Sequence, residues 1–156
     1  MSEPPAAGWR LARAAWADLS GQGARRRGGR WNSPGHPVVY LAAEASLPVL
    51  EVLVHLDLSP DLLPEDYVLM RVDLSPLQAA APGAWLEDGP ESAEDAAACR
   101  AFGDAWIEES RTPVLRVPSV LVTEAANLVV NVRHPLAASL PVPSARPFTF
   151  DPRLFR

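Results

Sequence analysis

Short apolar runs alternate along this chain with stretches of Gly, Pro and Arg, and the period of each run predicts its element. Residues 38–42 (VVYLA) are β-branched and aromatic and predict a strand. Residues 44–56 (EASLPVLEVLVHL) predict a helix, with Pro48 tolerable only near its first turn. At about 100° per residue, its apolar side chains cover most of the circumference. Glu44, Pro48, Glu51 and His55 share the narrow stripe that remains, so the pattern predicts a largely buried helix with one carboxylate at its middle. Residues 67–74 (YVLMRVDL) alternate well enough for a strand. Residues 91–110 predict a second helix, acidic at its start and apolar around Phe102, Trp106 and Ile107. Gly103 inside it costs about 1 kcal/mol against Ala. Residues 114–117 and 120–122 flank Pro118 and predict strand, bend, strand, and residues 127–132 (NLVVNV) predict one more short strand.

The intervening segments are polar or rich in Gly and Pro. Residues 1–8 predict a flexible tail and 9–14 a short first strand. Residues 17–37 predict a long Gly-rich loop, and long loops in compact domains are usually functional or disordered. Residues 75–90, with Pro76, Pro82 and Pro90, also predict loop, and the chain is Pro-rich from residue 141 onward. Five or six strands, clustered late, and two main helices predict a single α+β domain over residues 9–156. Its sheet is expected to be irregular and mixed rather than doubly wound.

Composition narrows the function classes. The 156 residues are 48% hydrophobic and 21% charged, which excludes wholesale disorder. No apolar run reaches the roughly 18 residues of a membrane helix, and the N-terminus has no apolar core of a secretory signal. A lone Cys99 excludes an intrachain disulfide and a multi-cysteine zinc site, so the expected location is the cytoplasm. The net charge of −5 argues against direct nucleic-acid binding. All the basic residues are Arg, and four of them (Arg25, Arg26, Arg27 and Arg30) cluster. One basic segment in an acidic chain points to a discrete anion site.

The candidate chemistry lies in a few residues. In GGRWNSPG (28–35), glycines allow close backbone approach to a ligand, and the Arg30 fork matches phosphate oxygens; Trp31 and Asn32 could hold that fork. The same stretch also reads as a turn with a solvated Arg. It is neither a Walker loop nor a dinucleotide fingerprint. Glu51 on an apolar helix must be paired, hydrogen-bonded or open to a cleft, unless its stripe faces water. Tyr40 is either a core aromatic or a stacking platform. Ser119 is either a site hydroxyl or a bend hydroxyl bonded to backbone. Asn127 and Asn131 bracket a strand, where turn capping is the default role. His36, His55 and His134 show no metal spacing.

In their order, these pieces resemble the RES domain family. The matching run is WR at 9–10, GGRWNSPG at 28–35, VVYLA at 38–42 and LEVLVHL at 50–56, then GDAWI at 103–107, RVPSV at 116–120 and NLVVN at 127–131. The resemblance implies a fold similar to the ADP-ribosyltransferase toxins and NAD as substrate, not as redox cofactor. It implies catalytic roles for Arg30, Glu51 and Ser119, and an NAD-binding set of Arg10, Arg30, Tyr40, Ser119 and Asn127, with no metal. It further implies a toxin paired with an Xre-like antitoxin that occludes the site; a homodimer is compatible with it. The expected reaction is cleavage of the nicotinamide–ribose bond. Phosphorolysis is favoured because an arginine-lined site can also hold inorganic phosphate. A protein ADP-ribosyltransferase and a non-catalytic nucleotide-binding module are the alternatives.

Overall fold

The computed structural model describes residues 3–155, the side chain of Pro60 excepted. The described residues form a seven-stranded mixed sheet with four α-helices. The elements run β1 (Ala7–Arg13), α1 (Gln22–Arg27), β2 (Val38–Ala42), α2 (Ser46–His55), β3 (Tyr67–Asp73), α3 (Ser75–Ala80), β4 (Leu86–Asp88), α4 (Ala96–Glu108), β5 (Val114–Pro118), β6 (Ala126–Asn131) and β7 (Ser144–Pro147). The spatial order is β4-β5-β6-β2-β1-β3-β7. β4 and β5 are parallel, and every other neighbouring pair is antiparallel. This is the single-domain α+β architecture with an irregular mixed sheet that the pattern predicts.

The sheet is not evenly joined. β1 pairs with β3 along its whole length, from Ala7↔Asp73 to Arg13↔Tyr67, and β2 pairs with β6 from Val38↔Asn131 to Ala42↔Asn127. Between β1 and β2, however, the register contains one pair, Trp9↔Ala42. The strands pack closely beside that pair: a Cβ on Gly8 would lie 2.5 Å from Leu41 Cδ1, so any larger residue there must displace the leucine side chain. Beyond it they part, leaving β4-β5-β6-β2 and β1-β3-β7 as two halves of one sheet.

The larger half is buried on both faces, which is why its strands read as nearly continuous apolar runs. On one face Val38, Leu115, Val117 and Val129 pack against Trp106, Ile107 and Cys99 of α4. On the other, Val39, Leu41, Val114, Leu128 and Val130 pack against Leu77 of α3 and Trp85. The smaller half packs Leu11, Tyr67 and Leu69 against Val49, Val52 and Leu53 of α2 and against Phe150 of the C-terminal segment.

Several sequence expectations are corrected. Of the tail expected over residues 1–8, Met1 and Ser2 lie outside the described residues, as does Arg156, the last residue of the expected domain; Ala7 and Gly8 belong to β1. The 17–37 loop contains α1, too short to show periodicity. The 75–90 loop contains α3 and β4: Pro76 sits in the first turn of α3, where its missing N–H costs nothing. The 120–122 run is not a strand. Ser119 Oγ accepts from the backbone N–H groups of Leu121 and Val122, and Ala125 N–H donates to Val122, so the chain turns back on itself. Val120, Leu121 and Val122 are consequently exposed. α2 is not buried all round: Leu47 and Pro48 are buried, whereas Leu50 and Val54 are exposed. Its Pro48–Glu51 side, expected to be polar, is the side turned toward the sheet. Among the described residues no helix is long and apolar enough to cross a membrane.

Candidate functional site

The parting of β1 and β2 opens a cleft made of three adjoining cavities of about 460, 340 and 390 Å³, and Tyr40 of β2 lines all three. Arg10 of β1 faces the first two. Glu51 of α2 and Asn127 of β6 face the second and third. Arg30 and Ser119 face the third. All six site residues expected from the sequence therefore border these neighbouring cavities, which share lining residues.

Arg30 stands at the tip of a tight turn. Gly29 N–H donates to the Asn32 carbonyl, and Arg30 and Trp31 occupy the two positions between. Asn32 is fully buried and locks the turn from inside. Its Nδ2 donates to the carbonyls of Ala24 (2.9 Å), Ser33 (3.2 Å) and His36 (3.2 Å). Its Oδ1 accepts from the Tyr40 hydroxyl (2.7 Å), which in turn accepts from Trp31 N–H (2.9 Å). Trp31 is buried edge-on to Phe102 of α4, ring centroids 6.3 Å apart. The same helix holds the turn through Asp104, which accepts from Ser33 N–H at 2.8 Å and Ser33 Oγ at 2.6 Å. Gly103 makes this contact feasible, because a Cβ there would sit 1.7 Å from the Trp31 carbonyl oxygen. The glycine that weakened the helix prediction is thus the one residue that fits. Arg30 itself donates from Nη1 to the Ala93 carbonyl (3.2 Å).

Arg10 is held more simply. Its Nη1 donates to the carbonyls of Trp16 and Asp18, both at 2.9 Å. Burial lowers its guanidinium from the ordinary arginine value, and Asp18 partly offsets this. Arg26 and Arg27 of α1 line the same cavity.

Glu51 has the least settled environment. Its Oε1 is buried and has no hydrogen-bond partner among the described residues. Burial pushes the carboxyl above its usual range, while the Asn127 side chain and His55 pull it back. Tyr40 differs: burial moves its phenol well above the ordinary value, and its hydroxyl is fully engaged with the turn, so it presents only its ring to the cleft. Ser119 is buried, and its Oγ already accepts two backbone N–H groups, which leaves donation of its own proton as its remaining capacity. Among the described residues no three of His, Cys, Asp and Glu gather in a way that could hold a metal ion.

The model of the RES domain matches residues 7–151. The chain belongs to the RES domain family. Curated relatives cover nearly all of this RES domain. The Prs ADP-ribosylating toxin of Sphingobium sp. (strain YBL2) is 36% identical over 95% of this chain and 96% of its own length. The Toxin Res of Pseudomonas putida (strain KT2440) is 36% identical over 94% of this chain and 98% of its own. Among solved structures, a chain of the M. tuberculosis MbcT-MbcA toxin-antitoxin complex superposes with a TM-score of 0.67 at 24% identity, covering 96% of this chain and 86% of that one, and shares its fold.

Sequence reasoning missed four residues that shape the site of this RES domain. Gly103 and Asp104 were visible only as part of the GDAWI run, and nothing there tied them to the turn they hold. Trp16 and Asp18 contribute only backbone carbonyls to Arg10, which no side-chain pattern reveals. His55 was legible but unused: it lies one helical turn beyond Glu51 and borders the same two cavities.

Proposed function

We propose that this RES domain is an NAD-consuming toxin that cleaves the nicotinamide–ribose bond, with inorganic phosphate as the acceptor, releasing nicotinamide and ADP-ribose 1''-phosphate. The observation that carries the reading is Glu51: a buried, unpartnered carboxylate oxygen between a cavity bordered by Arg10 and one bordered by Arg30. Departure of nicotinamide builds positive charge on the ribose, as in glycoside cleavage. A carboxylate in a poorly solvated cleft stabilises that charge far better than it would in water. Nicotinamide leaves from a cationic state, so no general acid is needed. Arg10 and Arg30 clamp the pyrophosphate and fix the reacting bond, the ring of Tyr40 packs the nicotinamide, and Ser119 and Asn127 orient the ribose.

The expected partner is an Xre-like antitoxin that covers the cleft; the pairing is supported by the relative named Toxin Res and by the fold shared with a chain of a toxin-antitoxin complex. A second reading, transfer of ADP-ribose to a protein, is favoured by the name of the Sphingobium relative. Purified protein incubated with NAD separates the two. Phosphorolysis gives nicotinamide release that rises with phosphate and a phosphorylated ADP-ribose product seen by ³¹P NMR. Protein transfer gives an ADP-ribose mass increment on a target protein. The Glu51→Gln variant should bind NAD with near-native affinity and lose about 10²–10³-fold in turnover. Wild-type turnover in that variant would remove Glu51 from the chemistry.

A further inference from the structure

His55 lies on the same face of α2 as Glu51, four residues on, and borders the 340 and 390 Å³ cavities together with it. It is exposed, and it occupies the last turn of its helix. The charged and titratable groups that face His55 from other elements are Arg10 of β1, Tyr40 of β2, Tyr67 of β3 and Arg30 of the 28–33 turn; Glu51 shares its helix. The third cavity is bordered by Arg30, the imidazole and the proton-donating Ser119 hydroxyl, and by the carboxylate as well.

We propose that His55 is a phosphate-recognition residue: it holds the incoming phosphate dianion together with Arg30 in the cavity beside Ser119, against the ribose carbon that nicotinamide leaves. This deepens the reading of the cleft as an NAD phosphorylase and rests on it. In the step served, the bond from ribose C1'' to the nicotinamide nitrogen breaks and its electron pair leaves with neutral nicotinamide. A lone pair on a phosphate oxygen forms the new C1''–O bond. The dianion already presents an unprotonated oxygen, so no proton changes hands. The position therefore calls for a group that binds phosphate, not for a base.

Two measurements test this. In steady-state kinetics, His55→Gln should raise the KM for phosphate about tenfold or more and leave the KM for NAD near its native value. His55→Arg should restore the phosphate KM. An unchanged phosphate KM in His55→Gln overturns the proposal. In the second measurement, the ring signals of the three histidines are followed by NMR while inorganic phosphate is titrated into the protein without NAD. The His55 signals, assigned by their loss in His55→Gln, should move as phosphate binds. Phosphate that binds without moving them, or that does not bind, also overturns the proposal. This second arm needs no turnover. A protein that releases no nicotinamide refutes the phosphorylase reading, and the NMR result still decides whether His55 binds phosphate.

Discussion

Two of the arginines on the cleft, Arg30 and Arg10, are held in contrasting ways. Arg30 rides on a turn fixed from three sides: Asn32 within it, Tyr40 beneath it and Asp104 of α4 behind it. Arg10 leans on two carbonyls of a single exposed segment, those of Trp16 and Asp18. One wall is shaped before any ligand arrives, and it is built into the larger core. The other is an anchored side chain whose support can shift without disturbing buried packing. Changes behind Arg30 should therefore register first as lost stability, and changes at Arg10 as lost affinity.

The largest expected effect is at Gly103. A methyl group there meets the Trp31 carbonyl head-on, so Gly103→Ala must push α4 off the turn. It should cost about 3 kcal/mol or more in chemical denaturation, and activity should fall with it. Next comes Asn32→Ala, which strips partners from three carbonyls and the Tyr40 hydroxyl. A loss of about 2–3 kcal/mol is expected, with impaired turnover even under conditions where the variant stays folded. Arg10→Lys should behave oppositely: the KM for NAD rises about tenfold as the planar fork is lost, while stability changes by less than about 1 kcal/mol. If Arg10→Lys destabilises as much as Asn32→Ala, the contrast between the walls is wrong.

The smallest effect concerns pH. The Glu51 carboxyl titrates above its usual range, so the native state holds a proton there that the unfolded chain has already released. Its contribution to stability is therefore full below the ordinary carboxylate value and fades as pH rises through the raised one. On the proposed role for Glu51, turnover needs the ionised form and should move the other way, falling as pH drops through the same window. Thermal melts and kcat measured across pH 4–7, with Glu51→Gln flattening both trends, check the opposed signs.

The parts legible in the sequence were those fixed by local chemistry. VVYLA at 38–42 is a strand with the expected bounds, since β-branched residues on a sheet buried on both faces need no partner to announce themselves. GGRWN was legible as a discrete arginine-bearing element because its glycines and Asn32 act within a few residues. The paired halves of the sheet were not legible, because they depend on which strands fail to pair. The 120–122 run misled for a related reason: its apolar pattern suits a strand, but one serine hydroxyl two bonds from the backbone commits the chain to a turn. In α2 the polar stripe was identified correctly and its surroundings were not. Pro48 is buried and Glu51 half-buried because the splayed strands leave room there, while Leu50 and Val54 take the exposed side.

The single rung between Trp9 and Ala42 has a mechanical consequence. Among the described residues, every other strand pair of the sheet is stitched along several residues, but the seam through the cleft has one stitch. Spreading the two halves along that seam would cost one stitch and leave the ladders on either side whole.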